Sequence, residues 1–100
     1  MIVQRWQAPR PLNQEQAKLM LKAEGLESFQ ENFPPETEIP DHRHPFDEIR
    51  FVISGEMKMD ISGNKLLLRA GDKILIPANT KHSKKVEGDR NCLCICAHRP

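Results

Sequence analysis

Hydrophobic and polar residues alternate in short segments along most of this chain, and turn-forming residues separate the segments. The clearest alternation runs through 48–54, where every second residue is large and apolar: Ile49, Phe51 and Ile53. Because side chains alternate between the two faces of a strand, Glu48, Arg50 and Val52 would face the other side. The same pattern predicts further strands at 1–8, 27–33, 39–44, 56–62, 65–69, 73–76, 82–87 and 91–97. Many short strands with frequent turns favour an all-β antiparallel barrel or jelly roll.

One short N-terminal helix interrupts this pattern. Apolar residues recur at helical spacing and predict a helix over about 14–24: Ala17, Met20 and Leu21. Asn13 is typical of a helix N-cap, and Gln16 stands three residues later, where the reciprocal partner of a capping box is found. Gly25 follows, and glycine commonly ends a helix.

The chain is expected to form one domain, in which residues 1–25 supply a strand and the helix and residues 26–100 supply the β-barrel. If Glu48 faces the interior, the large apolar residues that alternate with it point outward and need cover. The helix, the N-terminal segment, a second sheet or another subunit would provide this cover. We therefore expect a homodimer.

Composition narrows the function classes. Of the 100 residues 38% are apolar, and 15 Lys and Arg face 14 Asp and Glu, which gives a formal net charge of +1. This balance does not suggest a nucleic-acid binder. No apolar run is long enough for a membrane span or a signal peptide. We expect a soluble cytoplasmic protein whose partner is a small molecule.

Three cysteines alternate along the last predicted strand: Cys92, Cys94 and Cys96. Their odd number and their separation of two residues argue against a disulfide framework. A thiolate metal site is the alternative, although zinc sites usually space their cysteines as C-x2-C. We interpret the three as small apolar side chains that line one face of a sheet in a reducing compartment.

Four residues could supply a metal site: His42, His44, Glu48 and His82. Two histidines two positions apart on a strand point to the same side, with Cα atoms roughly 6.6 Å apart, so their imidazoles can converge on one ion. Glu48 adds an anionic oxygen and His82 a third nitrogen. This donor set suits one divalent transition-metal ion, such as iron, manganese, nickel or zinc. The alternatives are surface histidines and an ion pair of Glu48 with Arg43 or Arg50.

The spacing of these residues resembles the first motif of the cupin superfamily, G-x5-H-x-H-x3,4-E-x6-G. Four positions fit this motif: His42, His44, Glu48 and Gly55. Pro35 or Pro40 stands in the region where the motif begins with glycine. The segment 47–52 also resembles the metal strand of acireductone dioxygenase, which is a longer cupin enzyme.

The second cupin motif, G-x5-P-x-G-x2-H-x3-N, follows in the expected order. Three positions fit it: Gly71, Pro77 and His82. Asn79 replaces the middle glycine and tolerates a left-handed backbone, and Val86 replaces the final asparagine. The two motifs together imply a double-stranded β-helix, the jelly-roll barrel of the cupins, with the four candidate ligands at one metal site.

Residues near the motifs have more than one interpretation. Arg50 shares the face of Glu48 and could orient that carboxylate, hold an anionic substrate group, or pair with any carboxylate at the barrel rim. Asp47 points away from Glu48 by strand alternation and is interpreted as solvated or interfacial. The lysines around His82 are interpreted as a solvated strand that could attract an acidic small molecule: Lys81, Lys84 and Lys85. Met57 and Met59 are expected to pack, and His98 is given no role.

The leading hypothesis is a small mononuclear metal cupin that acts as an enzyme on a small organic molecule. Four protein ligands leave about two open positions on a six-coordinate ion, where a substrate could chelate. We rank a dioxygenase first and an isomerase or lyase second. The alternatives are a non-catalytic module that binds a small molecule or sugar and carries a structural metal, and a barrel that the ion mainly holds together.

Overall fold

The computed structural model describes residues 1–8 and 10–100, and Pro9 lies outside the described residues. In chain order, the described elements are β1 (Ile2–Gln4), α1 (Gln14–Ala23), β2 (Phe29–Phe33), β3 (Glu38–His42), β4 (Asp47–Ser54), β5 (Glu56–Ile61), β6 (Asn64–Leu68), β7 (Lys73–Ile76), β8 (His82–Glu87) and β9 (Cys92–Arg99). The all-β prediction with one short N-terminal helix is confirmed.

The strands form two antiparallel sheets. The five-stranded sheet has the order β1-β7-β4-β9-β2, and the four-stranded sheet has the order β3-β8-β5-β6. Strands that are distant in the sequence become neighbours, as β4 does with β9 and β3 with β8. This is a jelly-roll arrangement in which the described strands remain two separate sheets and do not close into one hydrogen-bonded barrel.

The main core fills the space between the two sheets. Met57 and Met59 are 1% and 2% exposed there, so the prediction that they pack is confirmed. The three free cysteines of β9 belong to the same core: Cys92, Cys94 and Cys96. All three are fully buried, which confirms their interpretation as small side chains that line one face of a sheet.

A second core lies on the other side of β4, under the helix. Ile49 and Phe51 pack there with residues of α1 and of the segment before it: Leu12, Ala17 and Leu21. The predicted capping box is present, since Asn13 accepts a hydrogen bond from the backbone N–H of Gln16 and the Gln16 side chain accepts one from Asn13. A homodimer was expected because these apolar residues need cover. The chain's own helix provides that cover, so the homodimer stays a prediction.

Within residues 1–8 and 10–100, no helix has the length and apolar character to span a membrane.

Two turns explain why particular residues of the motifs stand where they do. Gly55 has a φ of +79°, and a Cβ added there would lie 2.3 Å from the backbone oxygen of Asn91, so only glycine fits. Asn79 has a φ of +59°, which confirms that asparagine takes the left-handed conformation at the position of the motif's middle glycine.

The predicted strand boundaries differ from the structure at several ends, and the strand predicted over 1–8 spans only Ile2–Gln4. The turn between β5 and β6 has positive φ at Ser62 and Gly63, and Asn64, which lies between the strands predicted over 56–62 and 65–69, begins β6. The strand predicted over 39–44 ends at His42, after a register irregularity between Ile39 and His42. His44 therefore lies in a loop, and the argument that both histidines share one strand was wrong.

Candidate metal centre

The four predicted ligands come together although they belong to separate segments. His42 ends β3, His44 lies in the loop that follows, Glu48 is the second residue of β4, and His82 begins β8. Direct pairing of His42 with His82 across β3 and β8 brings two of the segments into contact. One candidate ligand atom from each of the four residues lies within 4.8 Å of those of the other three.

The Nε2 atoms of His44 and His82 face the Oε1 atom of Glu48, and Nε2 of His42 lies beside that of His44. The Nε2 atoms of His42 and His44 are 3.0 Å apart. Oε1 lies 3.3 Å from Nε2 of His44 and 3.7 Å from Nε2 of His82. These distances are short enough for one ion to contact all four atoms after small adjustments.

Backbone carbonyls fix the tautomers of two of the rings. Nδ1 of His42 lies 2.8 Å from the backbone oxygen of Pro40, and Nδ1 of His82 lies 2.8 Å from that of Thr80. Because a carbonyl can only accept, each Nδ1 carries the hydrogen and donates it, and each Nε2 keeps its lone pair. Metal-binding histidines are commonly oriented in this way.

The buried Nε2 of His82 provides a test of whether the site fits a metal ion. His82 is 1% exposed, and its Nε2 has no hydrogen-bond partner among the described residues. A buried polar atom without a partner is costly, and a cation at the centre would satisfy the lone pair. Burial also lowers the pKa of His44, against the raising effect of Glu48, which favours the neutral imidazole that metal binding requires.

Two buried cations hold the carboxylate of Glu48. Arg50 donates from Nε to Oε2 at 3.3 Å, and Nζ of Lys84 lies 3.0 Å from each carboxylate oxygen. Burial opposes the negative charge of Glu48, but the positive charges of Arg50 and Lys84 and the hydrogen bond from Lys84 outweigh that penalty and keep its pKa well below the ordinary value. The carboxylate is thus ionised and oriented, as a metal ligand must be.

The position of Lys84 corrects the interpretation of the lysine run. Lys84 is only 6% exposed, whereas the side chains of Lys81 and Lys85 are 56% and 52% exposed. Burial, followed by repulsion from Arg50, lowers the pKa of Lys84. Strand alternation could have found this residue, because Lys84 shares its face with His82 and Val86.

Arg50 lies deeper than a rim residue. It is 2% exposed, and Nη2 donates to the Oε1 atom of Glu31 at 2.6 Å. This geometry supports a role in orienting Glu48 and is less favourable to simple pairing at the rim. Nη1 has no partner among the described residues, so contact with a substrate group stays a prediction.

Asp47, which the sequence analysis interprets as solvated or interfacial, is half-buried and hydrogen-bonded. Its Oδ1 accepts a hydrogen bond of 2.9 Å from the backbone N–H of Ala78. Nearby, Arg43 donates to the backbone oxygen of Asn79 at 3.0 Å, and the N–H of Asn79 donates to the backbone oxygen of His44 at 2.7 Å. These bonds tie the loop that carries His44 to the turn that precedes His82. Arg43 is thereby engaged away from Glu48.

A cavity of the molecule borders the candidate metal centre, but none of the four candidate ligands lines it. It has a volume of about 920 Å³ and is lined by parts of β3, β5, β6 and β8, among them Pro40, Lys58, Leu67 and Lys84, and Lys84 also contacts Glu48. At the candidate metal centre, Glu48 and His82 are buried, while His42 and His44 are half-buried. The centre is therefore open on the side of the two histidines near the loop.

Comparison with known proteins agrees with the motifs. A family model described as a cupin domain matches residues 29–98. The chain belongs to the cupin family. The match includes all four candidate ligands and every strand from β2 to β8, together with most of β9.

Curated relatives resemble this cupin over part of their length. Acireductone dioxygenase of Bacillus licheniformis is 33% identical over 75 residues, which cover 70% of this chain and 39% of that protein. The polyketide synthase CurC of Streptomyces cyaneus is 32% identical over 62 residues, covering 61% of this chain and 40% of that protein. The chain thus spans about two fifths of the length of these relatives.

Solved structures share the fold. The DMSP lyase DddQ of Ruegeria pomeroyi superposes with a TM-score of 0.67 at 26% identity, covering 75% of this cupin and 38% of the lyase. Salicylate 1,2-dioxygenase of Pseudoaminobacter salicylatoxidans (W104Y variant) gives a TM-score of 0.68 at 25% identity, covering 72% and 22%. The Drosophila melanogaster CENP-C cupin domain, at 20% identity and a TM-score of 0.64, covers 71% of this cupin and 59% of that chain and shares the fold.

Proposed function

We propose that this cupin binds one divalent transition-metal ion through His42, His44, Glu48 and His82 and acts as a metal-dependent enzyme on a small organic molecule. The observation that carries the proposal is that one ligand atom from each of these four residues lies within 4.8 Å of those of the other three, with the buried Nε2 of His82 lacking a hydrogen-bond partner among the described residues. Iron, manganese, nickel and zinc all suit such a donor set.

A bound ion would supply a Lewis acid and, if it is redox-active, an electron carrier for reaction with dioxygen. The protein's own groups do the remaining work. Arg50 and Lys84 keep Glu48 ionised and oriented, while the carbonyls of Pro40 and Thr80 hold two imidazole rings with Nε2 turned inward. The half-buried side, at His42 and His44, is where a small substrate would approach.

Dioxygenase activity is our first choice of reaction, and an isomerase or lyase is the second. The first choice is supported by the similarity to acireductone dioxygenase and by the fold shared with salicylate 1,2-dioxygenase. The second is supported by the fold shared with a DMSP lyase. Oxygen consumption by the iron-loaded protein, screened with small enediols and catechols, tests the first choice. Product formation without oxygen uptake would favour the second.

A non-catalytic module that binds a small molecule or sugar is the alternative function. It is favoured by the cavity of about 920 Å³ on the four-stranded sheet, whose lining includes none of the four candidate ligands but does include Lys84, the partner of Glu48. In that case a ligand would bind to the metal-free protein as tightly as to the loaded one. For the enzyme, removal of the metal with a chelator would abolish substrate binding.

Alanine substitution of ligands tests the metal site directly. We predict that His44→Ala and Glu48→Ala each lower metal affinity at least tenfold, because each removes one donor and Glu48→Ala also leaves Lys84 and Arg50 without their shared partner. Metal content after loading and desalting is measured by elemental analysis. Glu56→Ala, at a carboxylate that is 48% exposed, is the matched control. Stoichiometric metal in both ligand variants would refute the assignment.

We further propose that the protein is a cytoplasmic homodimer. The helix already covers Ile49 and Phe51, so a dimer would use another surface. Light scattering at micromolar concentration tests this part of the proposal, and a monomeric mass would overturn it without affecting the metal site.

A further inference from the structure

His44 is oriented differently from the other two histidines of the candidate metal centre. The rings of His42 and His82 each donate from Nδ1 to a backbone carbonyl two residues earlier in the chain. His44 lies outside the strands, and its backbone oxygen is held by Asn79, but that bond does not determine how the ring is turned. Its Nε2 lies near His42 and Glu48, and a further contact, made by the face of the ring, restrains the plane of this imidazole.

A stack of three rings supplies that contact. The ring of His44 lies almost parallel to that of Phe46, with centroids 4.8 Å apart and an angle of 9° between the planes. Phe46 stacks in turn against His98, with centroids 3.9 Å apart and an angle of 25°. The ring of Phe29 makes an edge contact with that of His98, with centroids 4.9 Å apart. The stack connects the loop after β3 to the end of β9.

The position of His98 follows from the strand register. His98 is the direct partner of Glu48 in the pairing of β9 with β4, so the two side chains project from the same face of the sheet. It also continues the alternation of Cys92, Cys94 and Cys96 along β9. The histidine near the end of the chain is therefore brought to the mouth of the candidate metal centre.

We propose that Phe46 and His98 are positioning residues that orient the His44 ring through this stack and thereby set how firmly His44 is held as a metal ligand. The proposal rests on the proposed function, because it takes His44 to be a ligand. A stack restrains the plane of a ring but still lets the ring slide, whereas the hydrogen bonds of His42 and His82 restrain both position and rotation. His44 is consequently the most exchangeable of the three imidazoles.

Two other roles for His98 are a fourth imidazole ligand and an acid–base group. Its ring centroid is 6.3 Å from that of His44, the residue is exposed, and it does not belong to the group of four residues whose ligand atoms lie within 4.8 Å of one another. The described geometry therefore connects His98 to the centre through ring contacts with Phe46 and His44. A phenyl ring at this position would preserve the stack but could neither ligate nor transfer a proton.

Two substitutions of His98 separate these roles. We expect His98→Ala to weaken Zn²⁺ binding about three- to tenfold, in the range of one lost aromatic pair, and His98→Phe to restore it. In the Cu²⁺-loaded protein, electron paramagnetic resonance should show three coordinated nitrogens for the native chain and for His98→Phe, with a two-nitrogen species appearing in His98→Ala. Equal losses in both variants would overturn the proposal.

Phe46 is tested by a parallel pair, Phe46→Leu and Phe46→Trp. Leucine keeps an apolar side chain but removes the stack, so it should release His44 in the Cu²⁺ spectrum, and tryptophan should retain three nitrogens. Phe51→Leu is the control, because Phe51 is buried under the helix and its loss lowers the melting temperature without touching the histidines. An unchanged spectrum in Phe46→Leu would refute the proposal. Failure of the native protein to bind Zn²⁺ or Cu²⁺ would instead refute the proposed function.

Discussion

The two faces of β4 in this cupin bury different kinds of side chain. On the side of the helix, Ile49 and Phe51 pack against apolar side chains of α1 and its approach. On the opposite side, Glu48 and Arg50 are equally buried but charged, and Lys84 joins them from β8. One strand thus carries an apolar contact that stabilises the fold and a buried ionic cluster that positions a carboxylate.

Burial has opposite consequences on the two faces. Removing apolar surface from water contributes about 25 cal/mol per Å², so the helix side gains stability from every contact. Removing charges from water costs several kcal/mol per ion, and mutual attraction recovers that cost only with good geometry. We therefore interpret the cluster around Glu48 as a functional arrangement, whose desolvation cost is offset by the stability that the apolar face contributes. Substitutions on each face should have separable effects.

The largest effect is expected from Leu21→Ala on the helix side. Leu21 is fully buried, so the truncation should leave a cavity and lower the free energy of unfolding by about 3 kcal/mol. Urea unfolding in the presence of a chelator measures this loss. Metal affinity of the folded protein should stay within about twofold of the native value, because Leu21 packs in the core on the helix side of β4, together with Ile49 and Phe51.

Leu19→Ala is the matched control for this experiment. Leu19 lies on the same helix but is 65% exposed, so the same chemical change should cost less than about 0.5 kcal/mol. If Leu21→Ala weakened metal binding as strongly as it weakened folding, the two faces of β4 would be coupled and the comparison would fail.

A smaller effect of a different kind is expected from Lys84→Met. Methionine keeps the apolar stem but leaves Glu48 with Arg50 as its remaining cation, so the metal-free protein should lose about 2 kcal/mol of stability. The same change removes a positive charge beside the centre and should tighten metal binding by about three- to tenfold. Chemical unfolding and competitive metal titration measure the two quantities.

Lys85→Met provides the comparison for Lys84→Met. The side chain of Lys85 is 52% exposed. Its substitution should change neither the free energy of unfolding nor the free energy of metal binding by more than about 0.5 kcal/mol. Weaker metal binding in Lys84→Met would mean that the lysine acts chiefly by orienting Glu48, and that its charge matters less than its position.

Much of the fold and the candidate site could be predicted from the sequence because both follow from simple periodicities. Alternation along 48–54 placed Glu48 and Ile49 on opposite faces, as observed. The capping box at Asn13 and Gln16 was recognisable because its contacts are local. The four candidate ligands were identified by their spacing in the two motifs, and the structure brings them together.

The missed features depend on contacts between distant strands. Lys84 was interpreted as solvated because lysine is rarely buried, and its partner Glu48 lies on another sheet. His98 reaches the centre only through the register of β9 with β4. The end of β3 at His42 was missed because a register irregularity is not visible in an alternating pattern.

The smallest predicted effect concerns the end of the helix that covers the apolar face. Asn13→Ala removes the acceptor for the backbone N–H of Gln16 and should lower the free energy of unfolding by about 1 kcal/mol, while Asn13→Ser should retain most of the cap. Metal affinity should be unchanged in both variants, because the helix contacts β4 on the face away from the histidines. Thermal unfolding of the metal-free protein and metal titration give the two readings. A loss of metal affinity in Asn13→Ala that Asn13→Ser restores would show that the order of the helix is transmitted through β4 to Glu48, and the two faces could then no longer be treated as independent.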